Sequence, residues 1–510
     1  MGHYVERLAI MVCLALPAAA WGQLPPVGVP RGVVRVELDG SLDYFDREFR
    51  DGRLESYAAP LTSPALGSDR IPLLATADTT IGRIIGNSGY RLNLGALTAD
   101  THAEVGTGFF GLSLGVTNGI TIFGRIPLVR TRVELSTALD PSGADAGVNP
   151  GESEQLPFFS EFDAALATLS SNLAAGTYDG DPNQKALAQA TLADGTALRA
   201  DLFTLLADPA TASPVLPVAA SGAGTALTGR IATLQTTLST NLNVSGFTLT
   251  PALPQTQFSK QDLTDLLSGE LGFRLTESPI VFRGDAELGS SLTLADAWDR
   301  GGHRGGFRTA ISGLVRLPTG QRARTDRLLA IGTGEGQTDI QLDWVTDIGG
   351  GPIGARLTGS YVRQLPSTIS ARVTSPDQPL VGPDRLAFVR RDPGDIIALG
   401  VRPFYRLART LALQAGVEHW NRGADKVSYP SPADALPGVD AALLGEDTKV
   451  NATQISFGVT YSNPGGLRPG GKGLPVDASW SYERIVQSGG GRTPDTHAMR
   501  GSFRVYFGVW

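Results

Sequence analysis

The chain has 510 residues, 63 glycines, one cysteine and a formal charge of −7. That balance, with no basic patch, argues against nucleic acid as a partner. Its length would allow three ordinary domains, yet no Pro- or Ser-rich linker divides it. Beyond the first residues no apolar run reaches the roughly eighteen of a helical membrane span, which excludes helical insertion.

Residues 1–22 read as an export signal. Arg7 precedes an apolar run, Leu8 to Ala20, too short to cross a bilayer. Cleavage after Gly22 fits the small-residue rule, and a cut after Ala20 is the alternative. Either removes Cys13, which lacks the context of a lipidated cysteine. The mature chain then has no disulfide and no thiolate metal site, so burial and backbone hydrogen bonds must hold it together.

Residues 23–149 carry the first alternating strands. One strand is expected over Val33 to Phe45 and a long one within Tyr90 to Val116, where Phe110, Leu112, Leu114 and Val116 share a face against Gly111, Ser113 and Gly115. After a turn at Thr117 to Gly119, Ile120, Ile122, Ile126 and Leu128 alternate with Thr121, Phe123 and Arg125. A short helical segment, Ile71 to Ile85, falls in the first external loop.

Residues 150–270 do not alternate and have helical spacing. Helices are expected over Phe159 to Leu173 and Gln184 to Leu206, and along the face Leu227, Ile231, Leu234 and Leu238. A fourth follows Ser259, with Asp262 in the capping-box position and Leu263, Leu266 and Leu267 apolar. Strand parity sends this insertion to the external side, as a cap or plug over the lumen or as a surface decoration.

In residues 271–510 the alternation resumes. Leu288, Leu292 and Leu294 oppose Glu287, Gly289 and Thr293; Ile340, Leu342 and Trp344 oppose Asp339, Gln341 and Asp343; Ile455, Phe457, Val459 and Tyr461 oppose Gln454, Ser456 and Thr460. The chain closes on Phe503, Val505, Phe507, Val509 and the aromatic Trp510, an ending suited to the barrel-insertion machinery. Arg504 and Tyr506 share the parity of Trp510, and a lipid-facing arginine would be costly.

Short turns near Asn118, Trp298 to His303, Gly349 to Gly354 and Ala408 to Thr410 alternate with long polar loops. Trp298, Tyr405, Tyr461 and Trp510 beside them suggest an interfacial girdle. A soluble sandwich also alternates, but these connections and an even strand count describe an all-β transmembrane β-barrel of a Gram-negative outer membrane. About twelve antiparallel strands are expected, or fourteen if Tyr90 to Glu104 holds an extra hairpin.

Two segments carry a family likeness: GLSLGVTNGITIFGRIPLVR, and VRLPTG followed by LLAIGTGEGQTDIQL. They resemble the outer-membrane channels of the phenol meta-pathway and hydrophobic-compound uptake type, chiefly over Glu104 to Arg132 and Asp285 to Gln364. The resemblance implies passive transport of small hydrophobic or aromatic molecules. The helical insertion departs from that family's pattern.

Catalytic motifs are scarce. Gly332, Gly334 and Gly336 are followed by no Lys-Ser/Thr pair and no helix, so they read as an external loop and not a phosphate cradle. His102, His303 and His497 lack partners at metal-ligand spacing. Barrel phospholipases combine His, Ser and Asn on the outer wall. His419 and Asn421 share such a face, but no serine stands two residues from His419, and Thr453 on the next strand is a poor nucleophile. His419 reads as an interfacial anchor; no catalytic, metal or cofactor site is expected, and the chain is not read as an enzyme.

The inward parity carries Arg125, Arg308, Arg316, Arg356, Arg402, Arg406 and Arg504 against Asp285, Glu287, Asp339, Asp343, Glu418, Asp477 and Glu483. Balanced long side chains can meet and fill a barrel of about twelve strands, and planar guanidinium forks suit paired carboxylates. The expectation is a channel for small solutes, narrow or gated by the insertion and the charged lumen. The alternative is a non-conducting scaffold displaying the helices. Expected partners are membrane lipid, the insertion machinery and an unidentified small solute.

Overall fold

The computed structural model describes residues 28–275, 279–298, 306–408, 410–463 and 475–509. The expected export signal, His303 and Trp510 lie outside these residues. Twelve strands form the wall: β1 Val33–Phe45, β2 Ala96–Gly115, β3 Ile120–Asp140, β4 Ala286–Asp296, β5 Gly306–Leu317, β6 Asp339–Gly350, β7 Ile353–Gln364, β8 Ile396–Arg406, β9 Leu411–Arg422, β10 Val450–Ser462, β11 Val476–Gly490 and β12 His497–Gly508. Each pairs antiparallel with its neighbour, and β1 pairs with both β2 and β12, so the sheet closes on itself. Closure leaves no edge, and spanning backbone groups are satisfied without water. Ala96 to Gly115 is one unbroken strand, so the segment from Tyr90 hides no extra hairpin.

The period of two sorts side chains as a membrane barrel requires. Leu38, Phe110, Leu288, Leu342, Leu399, Phe457 and Phe503 stand exposed on the outer face, while Arg35, Glu37, Asp343, Arg402 and Glu483 are buried inside. On β12 the parity falls the favourable way: Arg504 and Tyr506 turn inward, and Phe503, Phe507 and Val509 outward. No arginine there faces lipid. A closed, even-stranded barrel with an apolar belt and a charged interior is a bacterial outer-membrane barrel.

At the opposite rim β2 and β3 run on beyond the belt and meet five helices: α1 Ala75–Ile84, α2 Glu152–Ala174, α3 Pro182–Leu206, α4 Gly222–Thr236 and α5 Lys260–Ser268. Local chemistry sets their starts. The Asp181 carboxylate accepts from the amides of Asn183 and Gln184 with Pro182 at the first helical position, and Ser259 and Asp262 form a full capping box. α4 continues through a wide turn, Thr237–Asn241, which keeps Leu238 on its apolar face. Phe158, Phe162, Leu202, Leu227, Ile231 and Leu234 make one core, which α1 joins through Ile81 and Ile84 and the barrel hairpin through Leu97 and Ala99. Phe162 stacks on Phe247 at 4.6 Å.

One interruption shapes the interior. A short strand, Ile280–Arg283, pairs with β3 from Leu128 to Thr131, and β4 pairs with it from Ile120 to Arg125. Between the pairs Arg125↔Glu287 and Leu128↔Arg283, three steps along β3 face four along the partner, which is a bulge at Gly284 and Asp285. The loop after β5 is laced into it. The Ala286 amide donates to Thr319 Oγ1 at 2.9 Å, and Thr319 Oγ1 donates to the Gly284 carbonyl at 2.7 Å. The Asp285 carboxylate accepts from the Gly320 amide at 2.8 Å and the Glu335 amide at 3.2 Å. The inward-facing Thr131 reaches the Ile331 carbonyl at 3.1 Å, so residues 318–338 fold into the mouth of the barrel.

Candidate functional site

Three ion-pair clusters occupy the barrel interior. In the first, β1 directs Arg35 and Glu37 inward; they meet at 2.5 Å, Arg504 approaches Glu37 at 3.5 Å, and Ser113 donates to it at 2.8 Å. The chain of charge continues through Arg125–Glu287 at 2.8 Å, Arg316–Glu287 at 3.2 Å and Arg316–Asp339 at 2.9 Å. In the second, Asp347 lies between Arg308 and Arg356; Arg356 donates from Nε and Nη2 at 2.7 and 2.9 Å. In the third, Glu483 accepts from Arg500 at 2.8 Å and Gln454 at 2.5 Å, with Arg402–Glu418 at 3.6 Å alongside. Tyr506 donates to Asp477. Bridges this deep exchange hydration for one another, and removing one partner strands the other.

The expected lumen residues are therefore mostly brought together, in groupings that parity alone does not give. Asp343 accepts from Gln341 at 2.7 Å, while Arg316 turns to Glu287 and Asp339. Asp285 sits in the bulge, held by loop amides. Arg35, Glu37, Asp43, Asp347 and Arg500 were missed. Asp347 follows Asp339 and Asp343 at even spacing on β6, and β1 alternates Arg35, Glu37, Asp39 with Val34, Val36, Leu38, so the signal was there to extend.

Trp298 departs from the expected girdle. It lies 6.2 Å from the buried Phe404, with Arg308 and Arg406 over its ring at 5.3 and 5.0 Å. Two guanidiniums on its π face and an aromatic edge inside outweigh an interfacial position. Tyr405, next in sequence to Phe404, is half exposed on the outer face. The segment before β1 lies on the inner wall at the same rim: the Val29 amide donates to Thr121 Oγ1 at 2.8 Å and the Gly32 amide to the Gly115 carbonyl at 2.9 Å. A Cβ on Gly115 would stand 2.0 Å from the Pro30 carbonyl oxygen, so only glycine admits this contact.

Toward the long-loop rim the interior opens into a cavity of about 600 Å³. Arg125, Glu287 and Arg316 line its charged side, Phe109, Val129 and Phe273 its apolar walls, and residues 322–335 the inward loop. A second cavity of about 250 Å³ lies between β3, α5 and the same loop. Arg327, Leu328, Ala330 and Ile331 border both cavities, so this stretch is the partition. Leu329 within it has φ of 51°, a left-handed conformation that a leucine holds only under constraint from its surroundings.

On the outer wall the His419 ring Nδ1 and Thr453 Oγ1 are 3.0 Å apart, with Asn421 opposite Asn451. Among the described residues no three His, Cys, Asp or Glu side chains gather in a metal-binding group.

No protein-family model matches the chain, and no curated protein matches it. Solved structures do. A Pseudomonas putida F1 outer membrane channel aligns over 95% of this chain and 100% of its own, at 10% identity and a TM-score of 0.43. The CymD monoaromatic hydrocarbon channel aligns over 94% and 89%, at 10% identity and a TM-score of 0.26. A Pseudomonas aeruginosa FadL homologue aligns over 94% and 90%, at 9% identity and a TM-score of 0.26. The barrel assignment rests on the closed strand ladder and not on these likenesses.

Proposed function

We propose that this barrel is an outer-membrane channel for small hydrophobic or aromatic solutes, closed in the conformation described. The observation that carries the proposal is the partly closed cavity of about 600 Å³ inside the external mouth, whose apolar walls stand over an ion-paired floor. A chamber of that volume suits one small molecule. The strained partition at Leu329 and the interior ion pairs serve as its two gates, and the helices on the β2–β3 extension cap the assembly. The chain carries no catalytic centre in this reading. Liposomes containing the full chain should swell in small aromatic solutes and less in sugars of similar mass.

The dense ion pairing below the cavity favours a second reading, a non-conducting scaffold that displays the helices. Absence of flux for every solute, including after the interior pairs are removed, would establish that one and end the first.

A further inference from the structure

The cavity in the external mouth is cationic, and its cations are not all accounted for. Arg125 and Arg316 share Glu287, and Arg316 also pairs with Asp339. Arg391 bonds Asp425 at 2.7 Å and lies 3.6 Å from Glu335; Arg324 bonds Asp326. Among the described residues, two guanidiniums on the same wall have no carboxylate at hydrogen-bond distance. Arg322 donates from Nε to the Glu335 carbonyl at 3.2 Å. Arg372 donates to the carbonyls of Leu271, Val381 and Gly272 at 2.6, 2.5 and 3.2 Å, with its guanidinium 4.0 Å from the Phe273 ring centre.

Arg322 is placed and not merely present. It lies so close over Gly336 that a Cβ there would meet its Cδ and Nε at 2.5 Å, and Gly336 has φ of 77°. The backbone thus reserves a slot for this side chain. Burial and the neighbouring Arg391 push the Arg322 pKa below its ordinary value against the weaker pull of Glu335, and burial does the same to Arg372 against Asp326 and Asp384.

We propose that the cavity binds an organic monoanion, a carboxylate on an apolar, aromatic-sized body, with Arg322 and Arg372 receiving the carboxylate and Phe109, Phe273, Val129 and Ile369 the body. The proposal rests on the reading of this chamber as the solute's station in a channel. A neutral hydrocarbon would fill the apolar part but leave two guanidiniums without a hydrogen-bonded counter-charge in a partly closed space, since Glu335 acts on Arg322 and Asp326 and Asp384 act on Arg372 only at longer range. A cation would be repelled. A carboxylate matches the planar fork of arginine with two parallel, charge-assisted hydrogen bonds, and the volume fits one such molecule.

The test uses the full chain in detergent with three fluorescent probes of one shape: 2-naphthoate, 2-naphthamide and 2-naphthylmethylammonium. Anisotropy titrations should rank the anion first, by about tenfold or more over the amide. Arg322→Gln should abolish most of that preference, lowering affinity for the anion far more than affinity for the amide. Equal affinities, or a cation preference, in the unmodified chain would overturn the proposal whatever the variants do. So would a preference that survives both Arg322→Gln and Arg372→Gln. Liposome flux of 2-naphthamide, measured in parallel, separates the two readings. Flux without anion preference in binding overturns the anion site and leaves the channel. Anion preference without flux of any probe supports the site and refutes the channel.

Discussion

Asp347 offers the sharpest test of whether the barrel interior is dry. Its carboxylate is 1% exposed and holds two guanidiniums, Arg308 and Arg356, the second through two hydrogen bonds. Asp347→Ala takes this carboxylate away from both buried cations. In a dry interior such a loss costs about 3–5 kcal/mol. In a wet lumen, water and counter-ions would take its place and the cost would fall below about 1 kcal/mol, as for exposed pairs. The assay is the urea midpoint of the folded barrel, followed by tryptophan fluorescence and by mobility of unheated samples on a gel. A control replaces Arg308, Asp347 and Arg356 together with Met, Leu and Met, which should recover much of the stability because no charge is stranded. An Asp347→Ala midpoint within error of the parent would refute the argument that these pairs close the lumen, and would make the lower barrel a water-filled pore.

Other expectations follow from the same geometry. Unheated and boiled samples of the full chain should migrate differently in detergent, since closure satisfies every spanning backbone bond; identical mobility with recovery in the soluble fraction would contradict the barrel. A tag inserted at Gly180 or Gly222, both exposed on the helical insertion, should be labelled on intact cells, and labelling only after permeabilisation would reverse the orientation. Replacing residues 159–242 with a short Gly-Ser connection should leave the barrel folded, because loop length changes closure entropy slowly. Raised conductance would identify the helices as a lid, and unchanged conductance would leave closure to the ion pairs and the inward loop. Gly115→Ala should drive the 28–32 segment off the inner wall, because the new Cβ would collide with the Pro30 carbonyl. A cysteine at Val29 should then react faster with a maleimide, and an unchanged rate would mean the segment does not rest there.

Much of the wall was legible because lipid on one side and buried charge on the other impose strong contrast at a period of two. Val33 to Phe45 appears as a strand with the bounds read from sequence, and the helix after Ser259 begins where its capping box predicts. What escaped the sequence depends on contacts between distant segments. Around Asp285 and Glu287 the alternation is unbroken, so nothing local betrays the bulge; it is held by Thr319, Gly320 and Glu335. A Gly-rich loop reads the same whether it hangs outside or turns into the mouth, and its bonds to Thr131, Arg283, Gly284 and Asp285 decide it. Trp298 had two amphipathic homes beside one turn, and Phe404 with two arginines chose between them.

The seam between β1 and β12 brings Val33 opposite Gly508, the two ends of the described wall. Every other wall contact joins strands adjacent in sequence, so the seam alone has a contact order close to the whole chain length, and such contacts form late. Until it forms, a partly assembled sheet presents two open edges to lipid, which has nothing to pair with them. Closure is thus the all-or-none step of assembly, and the Arg504–Glu37 bridge lies across it. Side chains at the seam govern how fast a nascent barrel escapes that exposed state, a kinetic role separate from their place in the finished wall.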